Sequence, residues 1–398
     1  MTETLLPGNR LFLLQSGTEY FPALIAEIEQ AQIEIHLETY IFEDDVTGRR
    51  IAEALRGAAR RGVAVRVLVD GYGARGFDVG LGASLIRDGV ELLVYRQEAG
   101  RLAFRRHRLR RLHRKLSVFD GRIGFVGGIN VIDDLNTPHQ VPPRFDYAVR
   151  IEGPLVEHIH HALRHMWRLV RWAQLGRRPP PPPPLQPPLM LDVDPPGTAL
   201  AGFLIRDNLA HRHDIENAYL GAINAAQHEI ILANAYFLPG RRFRQAITTA
   251  AQRGVRVTLL LQGRVEYALL HYATLSLYGA LLKAGVRIVE YRASFLHAKV
   301  AVIDQAWATV GSSNIDPFSL LLAREANIVV RDTDFANTLR QRLMVAINLG
   351  GVEVRSDHIA GRSWFLRQAS RLAYGVIRLM MGMTGYVGRR RRNSVASR

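Results

Sequence analysis

Residues 55–69 read LRGAARRGVAVRVLV, and residues 247–261 read ITTAAQRGVRVTLLL. The likeness continues on both sides. RDGVELLVYR (87–96) returns as KAGVRIVEYR (283–292), and LETYIF (37–42) returns as ANAYFL (233–238). The order is the same and the offset nearly constant, so the chain is a duplication. In each copy short β-branched runs such as IEIHLETYI, VAVRVLV and VELLVY alternate with amphipathic stretches, 49–61 being the first. Apolar runs of that length, bounded by turns and joined by helices, predict crossover-connected sheet strands. The expected fold is α/β: two similar sandwiches related by a pseudo-twofold axis, with the active site at their interface.

Composition agrees. The chain has 398 residues, 48% of them apolar. That is room for two domains with their own cores. Disorder, collagen and coiled coil are excluded as the main state. With no cysteine there can be no disulfide, thiolate nucleophile or cysteine-type metal site. A net charge of +16 calls for a polyanionic partner: nucleic acid, anionic lipid or a phosphate-bearing substrate. The start MTETLLPGNRLFLLQSG lacks a basic n-region, so a secretory signal is not expected. No uncharged apolar window is long enough to predict a spanning helix. Six consecutive prolines lie in RRPPPPPPLQPPLMLDVDPP (177–196) and predict a stiff spacer. The expected boundaries are therefore 1–176, a linker at 177–200, 201–352, and a tail at 353–398.

The chemistry sits in HRKLSVFDGRIGFVGGIN (113–130) and HAKVAVIDQAWATVGSSNID (297–316). Both give His-x-Lys, four residues, Asp, six residues, Gly-x-x-Asn. By average residue usage, one His-x-Lys-x4-Asp arises by chance in roughly a few per cent of chains this long. Two in register with an independent repeat are no coincidence. In a strand, residues two apart share a face, so two copies can bring two imidazoles and two ammoniums to one cleft. That set suits phosphodiester chemistry. Lys115, Lys299, Asn130, Asn314 and Ser312 can donate to the non-bridging oxygens, where charge builds up. One histidine attacks phosphorus and the other protonates the leaving alkoxide. The lysines supply the positive charge, so no metal or other cofactor is called for.

Paired motifs of this kind in duplicated halves resemble the phospholipase D superfamily. With GGIN at 127–130, GSSNIDPFS at 311–319, NAYF at 234–237 and DYAVRIEGP at 146–154, the chain resembles the short bacterial cardiolipin synthases over about residues 8–350. The resemblance implies transfer of a phosphatidyl group between two phosphatidylglycerol molecules, on the cytoplasmic side of a bacterial inner membrane. It also implies His113 as nucleophile and His297 as general acid, then base. Asp120 and Asp304 complete the catalytic motif; they stand at a strand-end turn, and in the superfamily that aspartate mainly supports structure. Each histidine needs an orienting carboxylate. Asp146, downstream of His113 in RFDYAV, and Glu325, downstream of His297 in REANIV, each begin a later strand and are the candidates.

Two regions point to lipid. The insertion RQEAGRLAFRRHRLRRL, with Arg105, Arg106, Arg108, Arg110 and Arg111, abuts His113 and forms a basic lip for anionic headgroups. In RSWFLRQASRLAYGVIRLMMGM (362–383), Arg367, Arg371 and Arg378 share one side of a helical wheel, while Trp364, Phe365, Leu366, Leu372 and Ile377 lie elsewhere. This predicts an interfacial helix in peripheral contact with a membrane. Three other features are set aside. GYGARG (71–76) has no counterpart in QGRVEY, which argues against a nucleotide site. His158, His161 and His165 read as an exposed helix face rather than a metal site. Tyr40 and Tyr236 recur at equivalent places and either line the cleft or pack. Nucleic acid is disfavoured as partner, because no aromatics interleave with the basic run. Hydrolysis by the same machinery, or a nuclease of the same fold, is the alternative activity; the oligomeric state is left open.

Overall fold

A computed structural model describes residues 4–96, 111–138, 140–175, 196–207, 210–316, 319, 323–355, 357 and 364–383. The proline run and Arg105, Arg106, Arg108 and Arg110 lie outside these residues, as does the side chain of Arg367.

The first copy runs β1 (Leu6–Gln15), α1 (Ser16–Gln30), β2 (Glu34–Thr39), α2 (Val46–Arg60), β3 (Ala64–Asp70), α3 (Leu81–Arg87), β4 (Glu91–Tyr95), β5 (Arg111–Leu112), β6 (Leu116–Phe119), β7 (Ile123–Gly127), β8 (Arg144–Phe145), β9 (Tyr147–Glu152) and α4 (Leu155–Leu175). The second runs β10 (Ala199–Arg206), α5 (Asp214–Ala225), β11 (Glu229–Asn234), α6 (Arg241–Gln252), β12 (Arg256–Gln262), α7 (Ala268–Lys283), β13 (Arg287–Tyr291), β14 (Phe295–Leu296), β15 (Lys299–Ile303), β16 (Trp307–Gly311), β17 (Ala323–Arg331), α8 (Thr333–Gly350) and β18 (Gly351–Glu353), followed by α9 (Trp364–Met383). β10 begins inside the segment expected to be linker, because Ala199 already pairs with Asn9 of β1.

The sheet order shows the duplication directly. From β1 outward it is β9-β7-β6-β2-β3-β4, and from β10 outward it is β17-β16-β15-β11-β12-β13-β18. β1 and β10 pair antiparallel at the centre and join the two sheets. Strands alternate their faces. Phe119 and Phe125 point to the layer shared with α1–α3, whereas Leu116, Val118 and Val126 point to a core they share with α4 and, across the pseudo-twofold, with Val300, Val310, Ile328 and Leu339. The strands that follow the two histidines, β6 and β15, are thus inner strands of their sheets, buried on both faces. Removing one copy would expose the shared core, so the halves fold against each other.

Strand register corrects one expected equivalence. Ile35 faces Phe119 in the first copy, and Ile230 faces Ile303 in the second. The offset on these strands places Tyr40 opposite Ala235 and Tyr236 opposite Ile41, so the two tyrosines are one residue out of register and do not play matching parts.

Candidate active site

Two short parallel strand pairs cross the interface. β5 pairs with the start of β17, Arg111 facing Ala323 and Leu112 facing Arg324. Its pseudo-twofold mate pairs β14 with β8, Phe295 facing Arg144 and Leu296 facing Phe145. Each pair ends at a histidine on one copy and a carboxylate on the other. His113 N–H donates to Arg324 O at 2.9 Å, and His297 N–H donates to Phe145 O at 2.8 Å. The side chains follow the backbone. His113 Nδ1 lies 3.0 and 3.1 Å from the two carboxylate oxygens of Glu325, and His297 Nδ1 lies 2.6 Å from Asp146 Oδ2. The sequence separations suggest that Asp146 serves His113 and Glu325 serves His297. The structure crosses them: each half orients the other half's imidazole.

Both carboxylates are buried, with side-chain exposures of 0% for Glu325 and 2% for Asp146, while His113 and His297 keep 17% and 13%. A Nδ1–H donated to a carboxylate fixes the tautomer and leaves Nε2 as the reactive nitrogen. Burial lowers the pKa of His113, helped by the Lys115 and Lys299 ammoniums and opposed by Glu325. His297 is pushed well below its ordinary value by burial and then by Lys299, Arg144, Lys115 and His113. Lys299 Nζ sits 2.8 Å from His297 Nδ1 and 3.4 Å from Asp146 Oδ2, and it donates to His297 O. Lys115 Nζ donates to His113 O at 2.6 Å, and burial together with Lys299 brings its pKa down to about 7. Burial and mutual repulsion thus disfavour the charged forms of both imidazoles and both lysines, and the two carboxylates do not make up the deficit of negative charge. An incoming phosphate supplies that charge and favours the charged forms of both lysines.

The rest of the motif divides. Asn130 and Asn314 are buried at matching places; Asn130 Oδ1 accepts from Ile41 N–H at 3.1 Å, and Asn314 Oδ1 has no partner among the described residues. Ser312, expected to face phosphate, turns elsewhere. Its hydroxyl donates to Glu325 Oε2 at 2.6 Å and accepts from Ala326 N–H at 3.0 Å, which locks the carboxylate that holds His113. The other copy has Gly128 there, and a β-carbon at Gly128 would overlap both carboxylate oxygens of Asp146. The Gly–Ser difference is thus set by carboxylate length, since the shorter aspartate must come in over a bare Cα.

Asp120 and Asp304, grouped with the catalytic residues by the motif, stand at the opposite end of β6 and β15 from the histidines. Both sit in the left-handed region, with positive φ, where aspartate is better tolerated than most residues. Asp120 accepts the N–H groups of Gln32, Ile33 and Glu34 at 2.8, 2.8 and 2.9 Å, and Asp304 those of Gln227, His228 and Glu229 at 2.7, 2.8 and 2.8 Å. Partial burial opposes ionisation of Asp304, but the three amides outweigh it and hold the carboxyl below its usual range. These aspartates anchor the start of β2 and β11. Asp304→Ala is expected to cost about 1–3 kcal/mol of folding stability and to leave turnover of the folded protein within about threefold. Urea denaturation and initial rates on the same preparation check this, and a selective loss of rate would speak for chemistry at Asp304.

Other side chains complete the surroundings of the two histidines, among them the recurring tyrosines. Tyr40 packs edge-on to His113 at 4.9 Å between centroids, with Lys115 Nζ 5.4 Å from its ring centre. Arg114, next to His113 in the chain, and Glu38 of β2 form a buried two-point ion pair, 2.6 Å at each contact. Tyr236 hydrogen-bonds Glu266 and packs edge-on to Tyr267 at 5.5 Å. Of the expected lipid contacts, Arg111 sits in β5 with its guanidinium 4.4 Å from the Tyr72 ring centre. The helix α9 packs Ser370, Ala373 and Ile377 inward on the second copy, α7 being its main neighbour, so Ile377 belongs to the core and not to an outer apolar face. Trp364, Phe365, Leu372 and Leu379 remain exposed beside exposed Arg371 and Arg378. No described helix is long and apolar enough to cross a membrane. His158, His161 and His165 lie exposed on α4, and among the described residues Glu34, His36 and His160 are the trio spaced to hold an ion; the Arg66 guanidinium contacts Glu34 at 2.9 Å within that trio.

The comparisons with known proteins agree with this geometry. The family described as "Cardiolipin synthase, PLD-like domain" matches residues 24–167 and 219–344. Cardiolipin synthase B of Escherichia coli K12 is 39% identical over 391 residues, covering 96% of this chain and 90% of that protein, and the Shigella flexneri protein of the same name is 38% identical over 390 residues, with the same coverage. The cardiolipin synthase of Geobacillus kaustophilus is 33% identical, over 83% of this chain and 65% of its own. Among solved structures, phosphatidylserine synthase of Haemophilus influenzae shares the fold with a TM-score of 0.65 at 14% identity, each chain covered to 97%. Two motif histidines at one interface, in a chain matched along nearly its whole length by these relatives, make the conclusion plain: the chain belongs to the cardiolipin synthase family of the phospholipase D superfamily.

Proposed function

We propose that this protein moves a phosphatidyl group from one phosphatidylglycerol to another through a phosphohistidine on His113. The observation that carries the reading is the crossed pairing, which engages both Nδ1 atoms and leaves both Nε2 atoms for the substrate. In the first step Nε2 of His113 attacks phosphorus while the bond to the glycerol oxygen breaks, and His297 gives its proton to that oxygen. In the second, a hydroxyl of the acceptor phosphatidylglycerol returns a proton to His297 and attacks phosphorus, and the P–N bond breaks. Asp146 and Glu325 balance the imidazolium charge at each stage. Lys115 and Lys299 hold the non-bridging oxygens. Incubation with labelled phosphatidylglycerol vesicles tests this: cardiolipin plus glycerol is expected. Phosphatidic acid alone would mean a hydrolase, and no product would refute the reading.

Peripheral membrane contact through α9 belongs to the same proposal. Its support is the exposed apolar residues beside arginines, on a chain with a net charge of +16. Deleting the helix would uncover α7, so point changes are the better test. The triple variant Phe365→Ser, Leu372→Ser, Leu379→Ser is expected to weaken binding to anionic vesicles by about 100-fold, from about 1 kcal/mol per partly buried side chain. Its cleavage of a soluble phosphodiester should stay unchanged. Equal losses in both assays would remove the membrane role.

A further inference from the structure

Strand-for-strand equivalence puts Asp70 at the end of β3 where Gln262 ends β12, since Asp70 faces Tyr95 and Gln262 faces Tyr291. The two side chains meet different fates. Asp70 is fully used: it accepts the N–H groups of Tyr72 and Gly73 at 2.9 and 3.2 Å, and that of Leu112 at 2.8 Å. It thereby ties down the strand that leads into His113. The second copy has no such insertion to hold. Gln262 is only 7% exposed, yet neither its Oε1 nor its Nε2 has a partner among the described residues. A buried primary amide without partners costs free energy, and its persistence calls for a ligand.

Gln262 lines a small recess, partly open to solvent, together with Tyr236, Arg264, Glu266, Tyr267 and His271. The recess adjoins the reaction centre: Ala235, in its wall, donates its N–H to the carbonyl of Ala298, the residue after His297, at 3.0 Å. It belongs to the second copy, on the side of His297. In-line displacement puts attacking and leaving oxygens on opposite sides of phosphorus. With His113 attacking, the leaving alcohol departs on the side of His297, and the acceptor alcohol returns along that path. For a reaction that releases glycerol and then takes up a glycerol hydroxyl, both alcohols are the same polyol.

We infer that this recess is a polyol subsite, in which the Gln262 amide and the Tyr236–Glu266 pair hold the glycerol headgroup, first as leaving group and then as acceptor. The amide offers a donor and an acceptor, Glu266 an acceptor, and Tyr267 an exposed aromatic wall, which suits a short chain of hydroxyls. The inference rests on the proposed reaction, because only there do leaving group and acceptor coincide.

The test compares Gln262→Leu with the wild type on two donors, phosphatidylglycerol and phosphatidyl-p-nitrophenol, in the same vesicles. From phosphatidylglycerol, cardiolipin formation should fall about tenfold. Release of p-nitrophenol to water, which uses no polyol, should stay within twofold. The melting temperature should not fall, since an unpaired amide is removed; Gln262→Met serves as the second variant if leucine disturbs folding. A parallel loss with both donors, or no loss with either, would overturn the subsite. Were the wild type to cleave the nitrophenyl ester yet make no cardiolipin, the proposed reaction would fail by itself. The subsite would then be read with added glycerol as acceptor: wild type should form phosphatidylglycerol and Gln262→Leu about tenfold less, and equal yields would reject it.

Discussion

Alanine in place of His113 should lower phosphatidyl transfer by at least about 10⁴-fold, because it removes the nucleophile from a unit whose parts act together. The fold should survive. The anchor of this residue to the opposite copy is its backbone N–H on Arg324 O, which alanine keeps. The ring removed is partly exposed and packs on the edge of Tyr40. Circular dichroism and a thermal melt close to wild type, beside a rate at the limit of detection, are the expected pair of results. A variant within tenfold of wild type would mean that His113 is not on the reaction path. The same change at His297 should remove transfer to and from alkyl alcohols but spare formation of the intermediate from a nitrophenyl ester, whose leaving group needs no acid.

Asp146→Asn is expected to cost about 10³–10⁴ in kcat, although it changes no atom that touches phosphorus. The amide would turn its own N–H toward His297 Nδ1, force the proton onto Nε2, and remove the charge that balances the imidazolium. Because Asp146 orients His297 at 2.6 Å and reaches Lys299 only at 3.4 Å, the loss should appear mainly in steps that use His297. Gly128→Ser tests the same link from below. It would restore the Gly–Ser pattern of the second copy, yet its β-carbon would collide with the Asp146 carboxylate. It should therefore behave like Asp146→Asn and not like a neutral exchange. Steady-state rates with phosphatidylglycerol and with the nitrophenyl ester separate the steps; a Gly128→Ser enzyme of wild-type activity would show that Asp146 does not need its present position.

Much of this was legible in the residues. Repeated blocks at a near-constant offset give the duplication and the pseudo-twofold axis, and the paired His-x-Lys motifs give the cleft, although each histidine precedes its strand instead of lying in it. What sequence could not give depends on pairing between copies. Nothing in the spacing from His113 to Asp146 or from His297 to Glu325 says that the acids trade partners. That follows from two-residue strands, β5 on β17 and β14 on β8, too short to leave a periodic pattern. Ser312 carried the right chemistry, a hydroxyl donor, but its target is Glu325 rather than substrate. The likeness of LETYIF and ANAYFL aligned Tyr40 with Tyr236; the ladder, set by Phe119 and Ile303, moves them apart by one residue and gives each a separate task. The amphipathic pattern of α9 found the helix, but a wheel cannot say which apolar stripe meets α7, and Ile377 went inward.

The central claim is that one imidazole from each copy works on a single phosphorus atom, and rapid quench labelling addresses it most directly. The wild-type chain and its His113→Ala and His297→Ala variants would be mixed with phosphatidyl-p-nitrophenol labelled at phosphorus, quenched in alkali, and digested for peptide mapping. Label on His113 in the wild type, more of it in His297→Ala, where the acceptor is no longer activated, and none in His113→Ala is the expected result. Label absent from every histidine while nitrophenol is still released, or label persisting in His113→Ala, would contradict it.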